Sequence, residues 1–132
     1  MAHPNEALIR RLFEVYRSGD REAAAGLFAE DAVFRYPGPG PLHGDHRGRE
    51  GIIRFWSEQD RAAGGAFTPE LVDLAAGDRH VFLLVQIAPE ADQRAWLRVV
   101  AYEITDGQIS GAQVFEGDPA AADSYFHAGG TA

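Results

Sequence analysis

Apolar side chains recur at three- and four-residue spacing near the start of the chain, the period of a helix that rests on a core. The set comprises Leu8, Ile9, Leu12, Phe13 and Tyr16. Asn5 can cap this first helix, and Ser18-Gly19 ends it. Asp20 can cap a second, shorter helix that continues through Phe28, so a tight turn at residues 18–20 joins the two helices.

The next segment predicts a short strand, a loop and a third helix. The strand runs from Ala32 to Tyr36 and is stopped by Pro37. Residues 37–41 alternate proline with glycine, and such a segment sustains neither a strand ladder nor a helix. The third helix opens at Gly48 and ends at Gly64-Gly65.

From Phe67 onward the pattern changes to strands separated by turn signals at residues 76–79, 89–93 and 105–108. Four strands, at about residues 67–76, 80–88, 94–105 and 108–116, are expected to form an antiparallel meander. Asp118-Pro119 then starts a short helix to Phe126. Helices segregated from strands in this way predict an α+β fold, in which helices cross the concave side of a curved sheet and enclose a cavity.

Composition narrows the classes of protein to consider. A chain of 132 residues fits a single domain, with a core at about residues 5–127. The longest apolar run, Val81 to Ile87, is too short to span a membrane, and a net charge of −8 disfavours binding to nucleic acid. The absence of cysteine excludes disulfide and thiolate chemistry, and a soluble, cytoplasmic protein is the default expectation.

Several segments carry a resemblance to a known family. Residues 27–37 read LFAEDAVFRYP, residues 40–42 read GPL, residues 47–50 read RGRE, and residues 102–109 read YEITDGQI. These segments resemble SnoaL-like proteins of the nuclear-transport-factor-2-like (NTF2-like) superfamily, which are relatives of ketosteroid isomerases, polyketide cyclases and limonene epoxide hydrolases. The resemblance implies a cone-shaped half-barrel, a cystatin-like roll of mixed or antiparallel strands closed by N-terminal helices. The motifs are turn and capping chemistry, so they specify a fold rather than one reaction.

The catalytic groups of the ketosteroid isomerases do not carry over to this chain. Those enzymes place an aspartate before the proline that ends the first strand, a tyrosine on the first helix and a protonated aspartate on the third meander strand. Tyr36, Leu12 and Val100 stand at these positions here. Isomerisation by that mechanism is therefore not expected.

The epoxide hydrolases activate water with an arginine and two aspartates on neighbouring strands. The nearest positions here are Leu84, Gln86 and Val114, none of which can take a proton from water. That activity would require Arg98 and Glu116 to do the same work from displaced positions.

Strand alternation predicts which side chains face the cavity, once Tyr36 and Val100 are taken as inward. The inward set is Phe34, Tyr36, Trp96, Arg98, Val100, Tyr102, Ala112, Val114 and Glu116. With Leu12 and Trp56 from the helices, its apolar and aromatic members would contact a flat, hydrophobic ligand. Phe34, Trp56 and Tyr102 could equally be plain core residues. The opposite parity, Leu97, Val99, Gln113 and Phe115, would form an apolar outer face, which in this superfamily commonly makes a homodimer.

Four polar residues are the candidates for chemistry. Arg98 and Glu116 would face each other across adjacent strands, either as a structural ion pair or as an anchor for a ligand carboxylate or enolate with Glu116 as general base. Tyr36 could donate to a ligand carbonyl, and His46, in the loop near the cavity mouth, could act as acid or base or be merely solvated. His43 and His46 with Asp45 are too flexibly spaced to indicate a metal site, so neither metal nor cofactor is expected.

The resulting prediction is a SnoaL-like enzyme that isomerises, cyclises or dehydrates a hydrophobic, carbonyl-bearing molecule of polyketide or steroid type by acid–base catalysis. Tyr36, His46, Arg98 and Glu116 would be its polar participants. The alternatives are a non-catalytic ligand-binding or dimerisation module of the same fold, and an epoxide hydrolase.

Overall fold

A computed structural model describes residues 3–38, 40–65, 67–89 and 94–127. Four helices and six strands are present in these ranges. In chain order they are α1 (Pro4–Ser18), α2 (Arg21–Ala25), β1 (Phe28–Tyr36), β2 (Gly44–Arg47), α3 (Gly48–Ala62), β3 (Glu70–Ala76), β4 (His80–Ile87), β5 (Trp96–Thr105), β6 (Gln108–Glu116) and α4 (Pro119–His127). Residue 39 of the predicted loop and residues 90–93 of the predicted turn lie outside the described ranges.

The cap of α1 differs from the expectation. His3, and not Asn5, caps this helix, and its ring Nδ1 accepts a hydrogen bond from the Asn5 backbone N–H at 3.1 Å. The Asn5 side chain instead donates to the backbone carbonyls of Gly77 and Asp78, at 3.0 and 3.1 Å. Asn5 therefore ties the start of α1 to the turn between β3 and β4, a contact between residues far apart in sequence.

The tight turn between α1 and α2 forms as predicted. Gly19 ends α1 in the left-handed conformation, with φ of 91°, and its N–H donates to the Tyr16 carbonyl. Asp20 caps α2, because its carboxylate accepts a hydrogen bond from the Ala23 N–H at 3.0 Å.

The six strands form one curved, open sheet in the order β2-β1-β6-β5-β4-β3. The predicted meander is confirmed, since β3, β4, β5 and β6 pair in succession and antiparallel. β1 pairs parallel with β6 and antiparallel with β2, so the sheet is mixed. Register shifts interrupt the pairing within β1–β6, β3–β4 and β5–β6, and such bulges bend and twist strands.

Two assignments between residues 26 and 47 were wrong. The second helix stops at Ala25 and β1 already begins at Phe28, because Phe28 pairs with Ile109 and the Ile109 N–H donates to the Leu27 carbonyl at 3.2 Å. The segment expected to be a loop contains β2, in which His46 pairs with Phe34. β2 is short and polar, so it carries no hydrophobic alternation that would reveal it.

The alternation along the sheet is confirmed. The side chains predicted to face inward on β1, β5 and β6 are buried, whereas Val72, Phe82, Leu97 and Phe115 on the outer face are about half exposed. Within the described residues, no helix has both the length and the apolar character needed to cross a membrane.

Candidate functional site

A cavity lies between α1, α3 and the concave face of the sheet. Its cavity volume is about 60 Å³, and the free space reaches about 500 Å³ when the part open to solvent is included. The first figure is below the usual size of ligand pockets, so a ligand of one or two rings would also occupy the part that is open to solvent. The lining is mostly aromatic and aliphatic: Leu12, Phe13, Tyr16, Phe34, Phe55, Trp56, Gln59, Phe67, Pro69, Leu83, Val85, Arg98, Val100 and Tyr102.

The carboxylate of Glu116 lies beside this cavity and accepts four hydrogen bonds. Tyr36 donates its hydroxyl at 2.7 Å and Trp96 its indole N–H at 2.9 Å. Arg98 donates from Nε at 2.9 Å and from Nη2 at 2.7 Å. A carboxylate has about four lone-pair sites, so this one is saturated.

Burial alone would raise the pKa of Glu116, but the hydrogen bonds and positive charge of Arg98 outweigh burial and lower it. Tyr36 and Trp96 act in the same direction. A carboxylate with a lowered pKa and no free lone pair is a poor proton acceptor.

Arg98 connects Glu116 to the cavity. Its side chain is only 4% exposed, and its Nη1 donates to the Gln59 side-chain oxygen at 2.9 Å. Its guanidinium lies 5.0 Å from the centre of the Phe67 ring. Three of the five N–H bonds of the arginine are used in these hydrogen bonds, and the guanidinium also contacts the Tyr36 hydroxyl, which leaves one N–H without a hydrogen-bond partner among the described residues.

A chain of polar groups continues across the cavity from Arg98. The Gln59 amide nitrogen donates to the Tyr16 hydroxyl at 3.3 Å, and that hydroxyl donates to the Phe67 carbonyl at 3.5 Å. Burial, the largest effect, raises the pKa of Tyr16, so it remains a neutral phenol at neutral pH.

Tyr102 is the polar residue of the lining whose hydroxyl has no hydrogen-bond partner within the described ranges. It is 7% exposed, and its ring lies 6.5 Å from that of Phe28 in an edge-on arrangement. Burial and the nearby Tyr16 raise the pKa of Tyr102, against a smaller lowering by Arg98. Its hydroxyl is therefore a protonated donor in the cavity.

Comparison with known proteins identifies the family. A family model described as a SnoaL-like domain matches residues 9–112. The chain belongs to the SnoaL-like family. An uncharacterized protein of Mycobacterium tuberculosis (strain ATCC 25618 / H37Rv) is 28% identical to this SnoaL-like chain over 125 residues, covering 90% of the chain and 93% of the relative.

Solved structures confirm the NTF2-like fold of this SnoaL-like chain. Bal32a, from a soil-derived mobile gene cassette, has a TM-score of 0.83 at 25% identity, over 93% of this chain and 96% of its own. An NTF2-like protein of Burkholderia xenovorans LB400 has a TM-score of 0.73 at 17% identity, over 93% of this chain and 95% of its own. A protein of Kribbella flavida DSM 17836, provisionally named a ketosteroid isomerase, has a TM-score of 0.71 at 23% identity, over 87% of this chain and 78% of its own.

The structure separates the predicted site residues of this SnoaL-like chain into two groups. Those that border the cavity are Leu12, Phe34, Trp56, Arg98, Val100 and Tyr102. Tyr36 and Glu116 lie behind Arg98, joined to it by the hydrogen bonds described above. Trp96, Ala112 and Val114 are buried on the inner face but are not among the lining residues, and Trp96 packs against the rings of Tyr125 and Phe126 on α4.

His46 lies on β2 rather than in a loop at the cavity mouth. Its ring packs 4.5 Å from that of Phe55, and its Nε2 lies 3.0 Å from the Leu42 carbonyl. It is absent from the cavity lining, which in the described ranges contains neither a carboxylate nor an imidazole.

Sequence reasoning missed Gln59 and left Tyr16 in the apolar stripe of the first helix. Gln59 is buried and falls on the inward stripe of α3 with Ile52, Phe55 and Trp56, at helical spacings of three, four and seven. A polar side chain within such a stripe is a signal that could have identified it. Within the described residues, no three histidine, cysteine, aspartate or glutamate side chains group closely enough to hold a metal ion.

Proposed function

We propose that this SnoaL-like chain binds a small hydrophobic carbonyl compound and promotes its isomerisation, cyclisation or dehydration by polarising the carbonyl group. The observation that supports the proposal is the Arg98 guanidinium at the edge of an aromatic cavity, with one N–H that has no hydrogen-bond partner among the described residues. Hydrogen-bond donors held in place in a water-poor site stabilise negative charge that develops on an oxygen atom in the transition state.

The polar groups then divide the work. Arg98 donates to the carbonyl oxygen, while Glu116 and Gln59 hold its guanidinium in one orientation. Tyr36 donates to Glu116 and not to the ligand. Since the described lining offers no base, the proton is taken from carbon by water or by a group of the substrate itself.

Deuterium exchange tests this proposal. The protons beside the carbonyl of 2-tetralone, a two-ring ketone, exchange with D2O through an enolate, and proton NMR follows their loss. The protein is expected to accelerate the exchange, and Arg98→Lys to reduce the acceleration by about 100-fold, the usual loss on removing one donor of this kind. Lysine keeps the charge but lacks the planar set of donors.

Arg94→Lys is the matched control, because Arg94 is largely exposed and pairs with Asp118 at 2.7 Å. Its exchange rate should equal that of the wild type. Exchange at the rate of protein-free buffer, with 2-tetralone shown to be bound, would contradict catalysis.

That outcome would favour a second candidate, a non-catalytic ligand-binding module. The saturation of Glu116 by four donors is the observation that supports it, since the residue expected to act as base has no lone pair to offer. The same saturation removes the argument for an epoxide hydrolase, which needs a carboxylate to take a proton from water.

We also propose that the outer sheet face pairs with a second copy of the chain. Phe115 and Leu97 on the central strands are about half exposed, and Arg35 and Glu103 border a groove on the same face. Both signs of charge on one patch suit a two-fold interface.

Sedimentation equilibrium tests the dimer, and Phe115→Asp should convert it into a monomer. Glu14→Lys, on the exposed side of α1, is the control and should leave the dimer unchanged. A wild type that is monomeric at all concentrations would contradict the proposal.

A further inference from the structure

We propose that the cavity selects an electrically neutral hydrogen-bond acceptor, such as an aromatic ketone, over a carboxylate of the same shape. The Tyr102 hydroxyl and a free N–H of Arg98 would hold the acceptor, and Glu116 would set the preference for zero charge. The inference rests on the proposed function only in that the cavity binds a small molecule, and it holds with or without catalysis.

The Tyr102 hydroxyl is the first observation. A buried hydroxyl without a partner is costly, and most such groups are hydrogen-bonded to protein or water. Tyr102 lines the cavity, and its hydroxyl is not wholly buried and makes no hydrogen bond to another described residue. An acceptor on a ligand would satisfy it, whereas a purely apolar ligand would displace any water there and leave it unpaired.

The charge beside the cavity is the second observation. Arg98 and Glu116 are 4% and 3% exposed and joined by two short hydrogen bonds, so their combined charge is zero. A carboxylate ligand would lose its hydration, and the cation of the described lining, Arg98, is already neutralised by Glu116.

A neutral ketone avoids that cost. It places partial negative charge on a single oxygen, where two donors can meet it, while its ring packs on the aromatic lining. The raised pKa values of Tyr16 and Tyr102 keep both phenols protonated, so neither adds charge at neutral pH. The O–H of Tyr16 donates to the Phe67 carbonyl, so only that of Tyr102 is offered to the ligand.

Three one-ring compounds separate the contributions: acetophenone as the neutral acceptor, benzoate as the anion and ethylbenzene without an acceptor. Their dissociation constants at pH 7 can be measured from chemical-shift titration of the full chain. Acetophenone is expected to bind about tenfold more tightly than ethylbenzene, the upper range for one hydrogen bond, and at least about tenfold more tightly than benzoate.

Tyr102→Phe should weaken acetophenone binding about three- to tenfold and leave ethylbenzene unchanged, because it removes one hydroxyl and no ring. Tyr125→Phe makes the same atomic change outside the cavity lining and should leave all three constants as in the wild type. Equal binding of benzoate and acetophenone by the wild type, or unchanged acetophenone binding by Tyr102→Phe, would overturn the proposal.

Glu116→Gln gives the sharpest form of the test, since it leaves the charge of Arg98 uncompensated. This variant should prefer benzoate to acetophenone, reversing the wild-type order. A reversal supports the role of Glu116, and an unchanged order refutes it. If Glu116→Gln does not fold, the wild type and Tyr102→Phe decide the question.

The outcomes distinguish this inference from catalysis. Selective binding of acetophenone without exchange of 2-tetralone would refute the proposed reaction and sustain the selectivity. Accelerated exchange of 2-tetralone with equal binding of benzoate and acetophenone would support the proposed reaction and refute the selectivity. Failure of all three compounds and of 2-tetralone to bind would refute both.

Discussion

Replacing Glu116 with glutamine is expected to lower the free energy of unfolding by about 3–5 kcal/mol, the usual cost of removing one partner of a buried ion pair. Arg98 would keep its charge while 4% exposed, and the Tyr36 and Trp96 donors would lose a charged acceptor. Urea unfolding of the two proteins, followed by circular dichroism, measures the difference.

The double variant Arg98→Met with Glu116→Leu is the informative control. It removes both charges and keeps similar side-chain volumes, so its stability should lie much closer to that of the wild type than that of Glu116→Gln does. A loss below about 1 kcal/mol in Glu116→Gln would instead class the pair with weak surface ion pairs.

The same pair predicts how stability depends on pH. Because folding lowers the pKa of Glu116 below its ordinary 4.5, the folded state gains stability at pH values above 4.5. That gain is lost as the pH falls through the lowered pKa of the folded state. Between pH 5 and pH 2 the wild type should therefore lose more stability than Glu116→Gln, which has no carboxylate to protonate at this position.

Phe28→Ala is expected to cost about 3–5 kcal/mol, the range for removing a large aromatic side chain from a core. Phe28 is 0% exposed, and its ring contacts those of Trp56, Phe34 and Tyr102 at 5.8, 6.4 and 6.5 Å. These three rings line the cavity, so binding of acetophenone should weaken along with stability.

Phe82→Ala is the matched control, because Phe82 lies on the outer face and is 50% exposed. A loss within about 0.5 kcal/mol is typical of such surface positions. A similar loss in the free energy of unfolding for both variants would contradict the packing described here. A loss for Phe82→Ala that grows with protein concentration would indicate that Phe82 contributes to the proposed dimer.

Local rules were sufficient for most of the fold. Helical spacing placed α1 and α3, the turn at Gly19 and Asp20 formed as expected, and two-residue alternation assigned the inner and outer faces of β5 and β6. These features depend on residues a few positions apart, which is the range over which a sequence pattern carries information.

Features that depend on distant residues were missed. The start of β1 at Phe28 follows from pairing with Ile109, and β2 exists because it pairs with β1. The spacing of apolar residues predicted that the second helix continues through Phe28. In the structure, the backbone of this segment pairs in parallel with β6 instead. The Asn5 side chain was likewise expected to cap α1, but it donates instead to two backbone carbonyls more than 70 residues away in sequence.

The chemistry of the site shows the same division. The sequence by itself determined that Arg98 and Glu116 face each other on the inner side of the sheet, since parity follows from the strand period. Only the tertiary structure decided that Tyr36 and Trp96 donate to Glu116 and that Gln59 accepts from Arg98. It also decided that the Tyr102 hydroxyl makes no hydrogen bond to another described residue. Those relations depend on how four separate elements meet, and a carboxylate becomes a base or a buried counter-ion according to the donors that surround it.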